Sequence, residues 1–120
     1  MTHGEKKIAK IIEELTMYFF TVGAEDIRSG IRLSGRQVTI TFQADYDPVY
    51  RDKLSHLEEY FNEPKNEGLE DFYWELAGSG DPGETSQLLL VGMMIDRAEI
   101  QIGEHRVSLK LYKEMEDEFV

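Results

Sequence analysis

Histidines and carboxylates are the residues of this chain whose types could do chemistry, so their spacing is the first test. His3, His56 and His105 lie far apart and show no metal-ligand spacing, and each reads as a surface or second-layer residue. Asp45 and Asp47 stand two positions apart in a loop. Two oxygen ligands could begin a magnesium or calcium site there, but the regular carboxylate ladder and glycine of a calcium loop are missing. Capping of the following helix is at least as good an account. Gly78-Ser79-Gly80-Asp81-Pro82-Gly83 offers backbone N–H groups to a phosphate, and a helix starting near Thr85 would add its positive end. No lysine follows those glycines, and Asp81 and Glu84 add repulsion. No serine occupies a G-x-S-x-G elbow, and the chain has no cysteine to serve as a thiolate or a metal ligand. Glu63, Asp71 and Glu75 could pair with Glu58 or Glu59 for acid–base work only if one carboxyl were held protonated. Tyr60, Phe61, Phe72, Tyr73 and Trp74 make a better case, for an aromatic contact surface.

The elements that must position these residues follow from hydrophobic periodicity. Ile8, Ile11, Ile12, Leu15, Phe19 and Val22 recur at helical spacing and predict a first helix over residues 5–22, with Glu13 and Glu14 beside its apolar face and Gly23 as its C-cap. Alternating runs around 27–33 and 37–44 predict a hairpin joined at Ser34-Gly35, with Arg28, Arg32, Thr39, Thr41 and Gln43 on its outer face and a bulge at Gly30. Asp47 and Pro48 open a helical stripe over 49–61, formed by Val49, Tyr50, Leu54, Leu57 and Phe61. A short helix is expected over 69–76, then the glycine-rich loop, then a helix over Leu88–Ile95 capped by Thr85 or Ser86. That segment is so apolar that a sheet or other helices must cover most of it. A second hairpin, 97–102 and 106–112 turning at Gly103-Glu104, ends the fold. Residues 113–119 read as a charged, fraying tail.

Composition narrows the function classes. The chain has 120 residues, 41% hydrophobic and 31% charged, which suits one domain spanning 1–120. No signal-peptide core or membrane-length apolar run is present, so a cytoplasmic location away from membranes is expected. The net charge of −11 disfavours nucleic acid, since Lys6, Lys7 and Lys10 form the only dense basic cluster and Glu5, Glu13 and Glu14 flank it. A basic protein partner, or self-association through a strand edge or the 69–76 helix, fits this charge and the aromatic cluster better.

This order of elements resembles the histidine-kinase-like ATPase superfamily, the fold of sensor-kinase catalytic domains and anti-sigma-factor kinases. Glu14-Leu15-Thr16-Met17-Tyr18 looks like its first ATP-site helix, with Glu14 at the place of the water-activating acid and Tyr18 at that of the magnesium-holding asparagine. Asp45 stands where the family's aspartate contacts adenine, and Leu88–Ile100 looks like the glycine-rich helix and following strand. The resemblance implies an α+β two-layer sandwich, a mainly antiparallel sheet covered on one side by helices. With Tyr18 replacing a magnesium ligand, and Gln87 and Leu89 where small residues would admit phosphate, it implies a relative that kept the scaffold and lost the nucleotide. The expectation is a non-catalytic interaction or regulatory module with no cofactor and no metal. The alternative is an ATP-binding kinase-like domain, in which Glu14, Tyr18 and Asp45 would bind the nucleotide.

Overall fold

The structure, a computed structural model, describes residues 1–62 and 84–115, with side chains from residue 88 onward in the second stretch. Helix α1 (His3–Thr21) starts with a capping box: the Thr2 hydroxyl accepts from the Glu5 amide at 3.1 Å, and the Glu5 carboxylate accepts from the Thr2 amide at 2.9 Å. It ends where the spacing predicted. Gly23 adopts φ +83°, its amide donates to Phe20 O, and the Ala24 amide donates to Phe19 O, which together close a Schellman motif. Ile8, Ile11, Leu15 and Phe19 form the buried face.

Strands β1 (Ile27–Ser34) and β2 (Gln37–Asp45) make the first hairpin, and β3 (Arg97–Ile102) and β4 (Arg106–Glu114) make the second. They merge into one four-stranded antiparallel sheet of order β1-β2-β4-β3, because β2 pairs with β4 from Gln37↔Glu114 to Asp45↔Arg106. Val38, Ile40, Phe42 and Ala44 of β2 and Val107, Leu109 and Leu111 of β4 point to one face and are buried beneath the helices. The fold is thus α+β, with the sheet covered on that side. The first turn lies at Gly35-Arg36, one residue later than expected. Only Gly35 has positive φ (61°), the signature of a type II′ turn, whose twist matches that of the strands. The expected bulge at Gly30 is absent, for the β1–β2 register runs unbroken from Ile27↔Ala44 to Ser34↔Gln37.

The 49–61 stripe is not one helix. It breaks into a 3₁₀ turn (Pro48–Tyr50), α2 (Arg51–Leu54) and α3 (Leu57–Asn62). Asp47 does cap the start, accepting from the Val49 amide at 3.1 Å. The break falls at Ser55, whose hydroxyl donates to the Asp52 carbonyl at 2.6 Å and competes with the helical ladder. Leu54, Leu57 and Phe61 are buried, but Val49 is 75% exposed and belongs to no apolar stripe. Helix α4 (Glu84–Met94) starts earlier than expected, which places Thr85 and Ser86 inside its first turn rather than at its cap. Its Leu88, Leu90, Val91 and Met94 are buried, and it packs against both α1 and α3. Gly92 is the contact point with α3: a Cβ there would overlap the Tyr60 carbonyl oxygen. Residues expected to fray are partly fastened. The Lys113 ammonium donates to the Met94 carbonyl at the end of α4, the Glu114 amide donates to Asp96, and Met115 is buried. The expected 69–76 helix and the Gly78–Gly83 loop lie outside the described residues.

Candidate functional site

Glu14 and Tyr18 sit one turn apart on the same flank of α1, and both are buried. The sequence placed Glu14 beside the apolar face; the structure puts it inside, at 1% exposure. Burying a carboxylate is costly without a counter-charge. Lys10, one turn earlier, supplies it with Nζ 2.7 Å from Glu14 Oε1. Partial burial pulls the Lys10 ammonium down, but hydrogen bonds and charges from Glu14 and Glu13 outweigh it and hold its pKa above the ordinary value. The other Glu14 oxygen has no hydrogen-bond partner among the described residues.

Asp45 lies elsewhere, at the end of β2. Its Oδ1 accepts the Glu25 amide at 2.8 Å and the Asp26 amide at 2.9 Å, fixing the turn that leads from α1 into β1. The amides of Asp26 and Glu25, with Arg106 opposite, hold its carboxyl below the usual carboxylate range. The next two residues extend this clasp. The Tyr46 amide donates to His105 O, the Tyr46 hydroxyl to Gly103 O, and the Asp47 amide to Val22 O at 2.9 Å. Glu14 precedes Val22 by eight residues, about 12 Å of helix. Each of the two carboxylates therefore takes its hydrogen bonds within its own neighbourhood.

The aromatic cluster is described only at Tyr60 and Phe61. Phe61 is fully buried and Tyr60 packs against the core, while Phe72, Tyr73 and Trp74 lie outside the described residues. The three histidines are exposed. Among the described residues, no group of three metal-ligating side chains comes together, and no helix is long and apolar enough to cross a membrane.

What gathers instead, among the described residues, is the face of the sheet turned away from the helices. Alternation sends Arg28 and Arg32 of β1 to it, as expected, with Thr39, Thr41 and Gln43 of β2. The β2–β4 pairing then adds Arg106, Lys110 and Tyr112, and β3 adds Arg97 and Glu99. In an acidic chain this face concentrates cations. Asp26 pairs with both Arg28 and Arg106, at 3.3 and 3.5 Å, and Glu99, which faces Lys110 across the β3–β4 ladder and bonds the Tyr112 side chain, pairs with Arg97 at 3.2 Å. Arg32 has no ion pair or hydrogen bond among the described residues, and Lys110 stands 5.7 Å from the Tyr112 ring centre. Between them a hollow of about 490 Å³ opens beside Gly30, Thr39 and Thr41. The signal was present in the alternation Arg106, Ser108, Lys110, Tyr112, but only the joining of the two hairpins sets it beside Arg32.

The sheet's two edges also differ. On β3, the Asn62 side chain accepts from the Ala98 amide at 3.0 Å and donates to its carbonyl at 3.3 Å, standing in for a neighbouring strand. On β1, Ile31 and Leu33 point to the helix-covered face yet remain 51% and 43% exposed. In comparisons with known proteins, no family model, no curated protein and no solved structure matches this chain.

Proposed function

We propose that this chain is a non-catalytic interaction module that associates through strand β1, in the simplest case with a second copy of itself. The observation that carries the reading is the β1 edge: a row of backbone groups with no strand partner among the described residues, beside the half-exposed Ile31 and Leu33. Sheets ordinarily blunt such edges, and β3 is blunted by Asn62. Strand β1 is also compatible with itself. Antiparallel registers centred on Ser29 or Ile31 set Ile31 against Ile27 or Ile31 of the second copy and do not put Arg28 directly opposite Arg32. A partner that adds a strand to this edge needs no positive charge, so the aromatic, acidic surface expected to meet a basic protein is not required.

Sedimentation or light scattering at two protein concentrations tests the reading. The wild type should show a concentration-dependent dimer and Ile31→Lys a monomer with unchanged circular dichroism. A wild type that stays monomeric at millimolar concentration overturns it, as does a dimer indifferent to Ile31→Lys. The finer topological reading, a histidine-kinase-like ATPase scaffold, rests on the order α1, first hairpin, α4, β3. Its nucleotide version is tested by calorimetric titration with ATP and magnesium: saturable binding lost in Asp45→Ala would favour it over the module proposed here.

A further inference from the structure

We propose that the hollow on the open sheet face is a binding site for a small phosphate monoester carried on a flat organic group. The site starts with a missing side chain. Gly30 faces Thr41 across the β1–β2 ladder, and a Cβ at Gly30 would lie 2.9 Å from Thr41 Oγ1, so glycine leaves the Thr41 hydroxyl uncrowded and facing the hollow. Around it the register sets two rows, Arg32–Thr39–Tyr112 and Gly30–Thr41–Lys110. Arg32 and Lys110 stand at opposite corners, two strands and two residues apart, which is about 12 Å between their Cα atoms. Side chains of that length reach a common anion at the centre, where the hydroxyls of Thr39 and Thr41 supply uncharged donors. A guanidinium fork with hydroxyls beside it suits the several oxygens of a phosphate.

Size and field select the rest of the ligand. About 490 Å³ is more than a bare phosphate fills and falls in the range of small-molecule sites. Tyr112 walls the hollow with an aromatic ring that is held in place by the Arg97 guanidinium, 3.9 Å from its centre. That ring gives the organic part of the ligand a flat surface to meet. The chain's charge of −11 repels a long polyanion that must run beyond the hollow, whereas screening over about 8 Å leaves a small anion to the nearby cations. Arg32 is available, because no acidic group pairs with it among the described residues. The site lies on the face of the sheet, not on its edge, so it does not depend on β1 pairing.

The test uses phenyl phosphate, phenol and inorganic phosphate as probes, read by amide chemical shifts of the whole labelled chain. Phenyl phosphate should bind saturably in the millimolar range or tighter and shift Gly30, Thr41, Lys110 and Tyr112. It should bind more tightly than either fragment. Arg32→Gln, an exposed change, should weaken it about tenfold or more, and Arg28→Gln should leave it unchanged. Gly30→Ala, which sets a methyl against the Thr41 hydroxyl, should weaken it. No saturation, shifts elsewhere, or binding indifferent to Arg32→Gln would overturn the proposal. So would inorganic phosphate binding as well as phenyl phosphate, an adventitious ion only, or a single-stranded oligonucleotide binding more tightly through the same residues.

Discussion

Asp45 and the Lys10–Glu14 pair show how the same residue type serves different ends at the scale of single side chains. Asp45 is a backbone clasp whose carboxylate form is favoured by the amides of Asp26 and Glu25. Because its folded pKa is depressed, the stability it adds is present above its ordinary value near 3.8 and is lost as pH falls through the lower folded value. Urea unfolding as a function of pH should therefore show a loss of stability below about pH 4 that is smaller in Asp45→Asn, itself destabilised by about 1 kcal/mol at neutral pH. The buried pair behaves differently. Lys10→Met leaves the Glu14 carboxylate buried without its counter-charge and should cost about 2–4 kcal/mol, less than a fully enclosed pair because Lys10 reaches solvent. Adding Glu14→Leu should recover most of that loss. A double variant no more stable than Lys10→Met alone would show that the pair does not act as a unit.

Among the elements, the helical layer depends on backbone proximity more than on side-chain size. Helices α3 and α4 touch where Gly92 meets the Tyr60 carbonyl, so even Gly92→Ala must push them apart and should lower stability by about 2–3 kcal/mol despite alanine's better helix propensity. A denaturation midpoint equal to wild type would mean that the two helices yield freely. Gly23→Ala tests a different cause, the left-handed conformation of the Schellman turn at φ +83° with Asp47 Cβ 3.0 Å from the added methyl. It should cost about 1–2 kcal/mol, and because the strain is local, the variant should keep a wild-type circular dichroism spectrum.

Over the whole molecule, charge sets the conditions for both folding and association. Twenty-four acidic residues against thirteen basic ones make compaction and dimerisation work against self-repulsion. Raising sodium chloride from low concentration to about 0.5 M shortens the screening length to about 4–5 Å. It should raise the urea midpoint and strengthen the wild-type dimer. The same salt should weaken phenyl phosphate, since the cations of the open face are screened as well. A dimer that weakens with salt would point to ion pairs rather than the Ile31 edge as its cement.

Local pattern by itself determined much of this protein. Alternation drew all four strands to within a few residues, helical spacing drew α1, and single glycines marked the C-terminal turn at Gly23 and the hairpin turn beside Gly35. These features depend on backbone preference and on which side of an element is apolar, and both are written in consecutive residues. Only tertiary structure decided the rest, because it turns on which distant elements meet. The pairing of β2 with β4 brought Lys110 and Tyr112 beside Arg32. The packing of the helices turned Phe61 inward, and Glu14 went with Lys10 into the interior instead of remaining at its margin. Asn62 took up the outward backbone groups of Ala98 on the β3 edge, while β1 has no such partner among the described residues, a difference no local pattern carries, since it depends on a side chain reaching 36 residues along the chain.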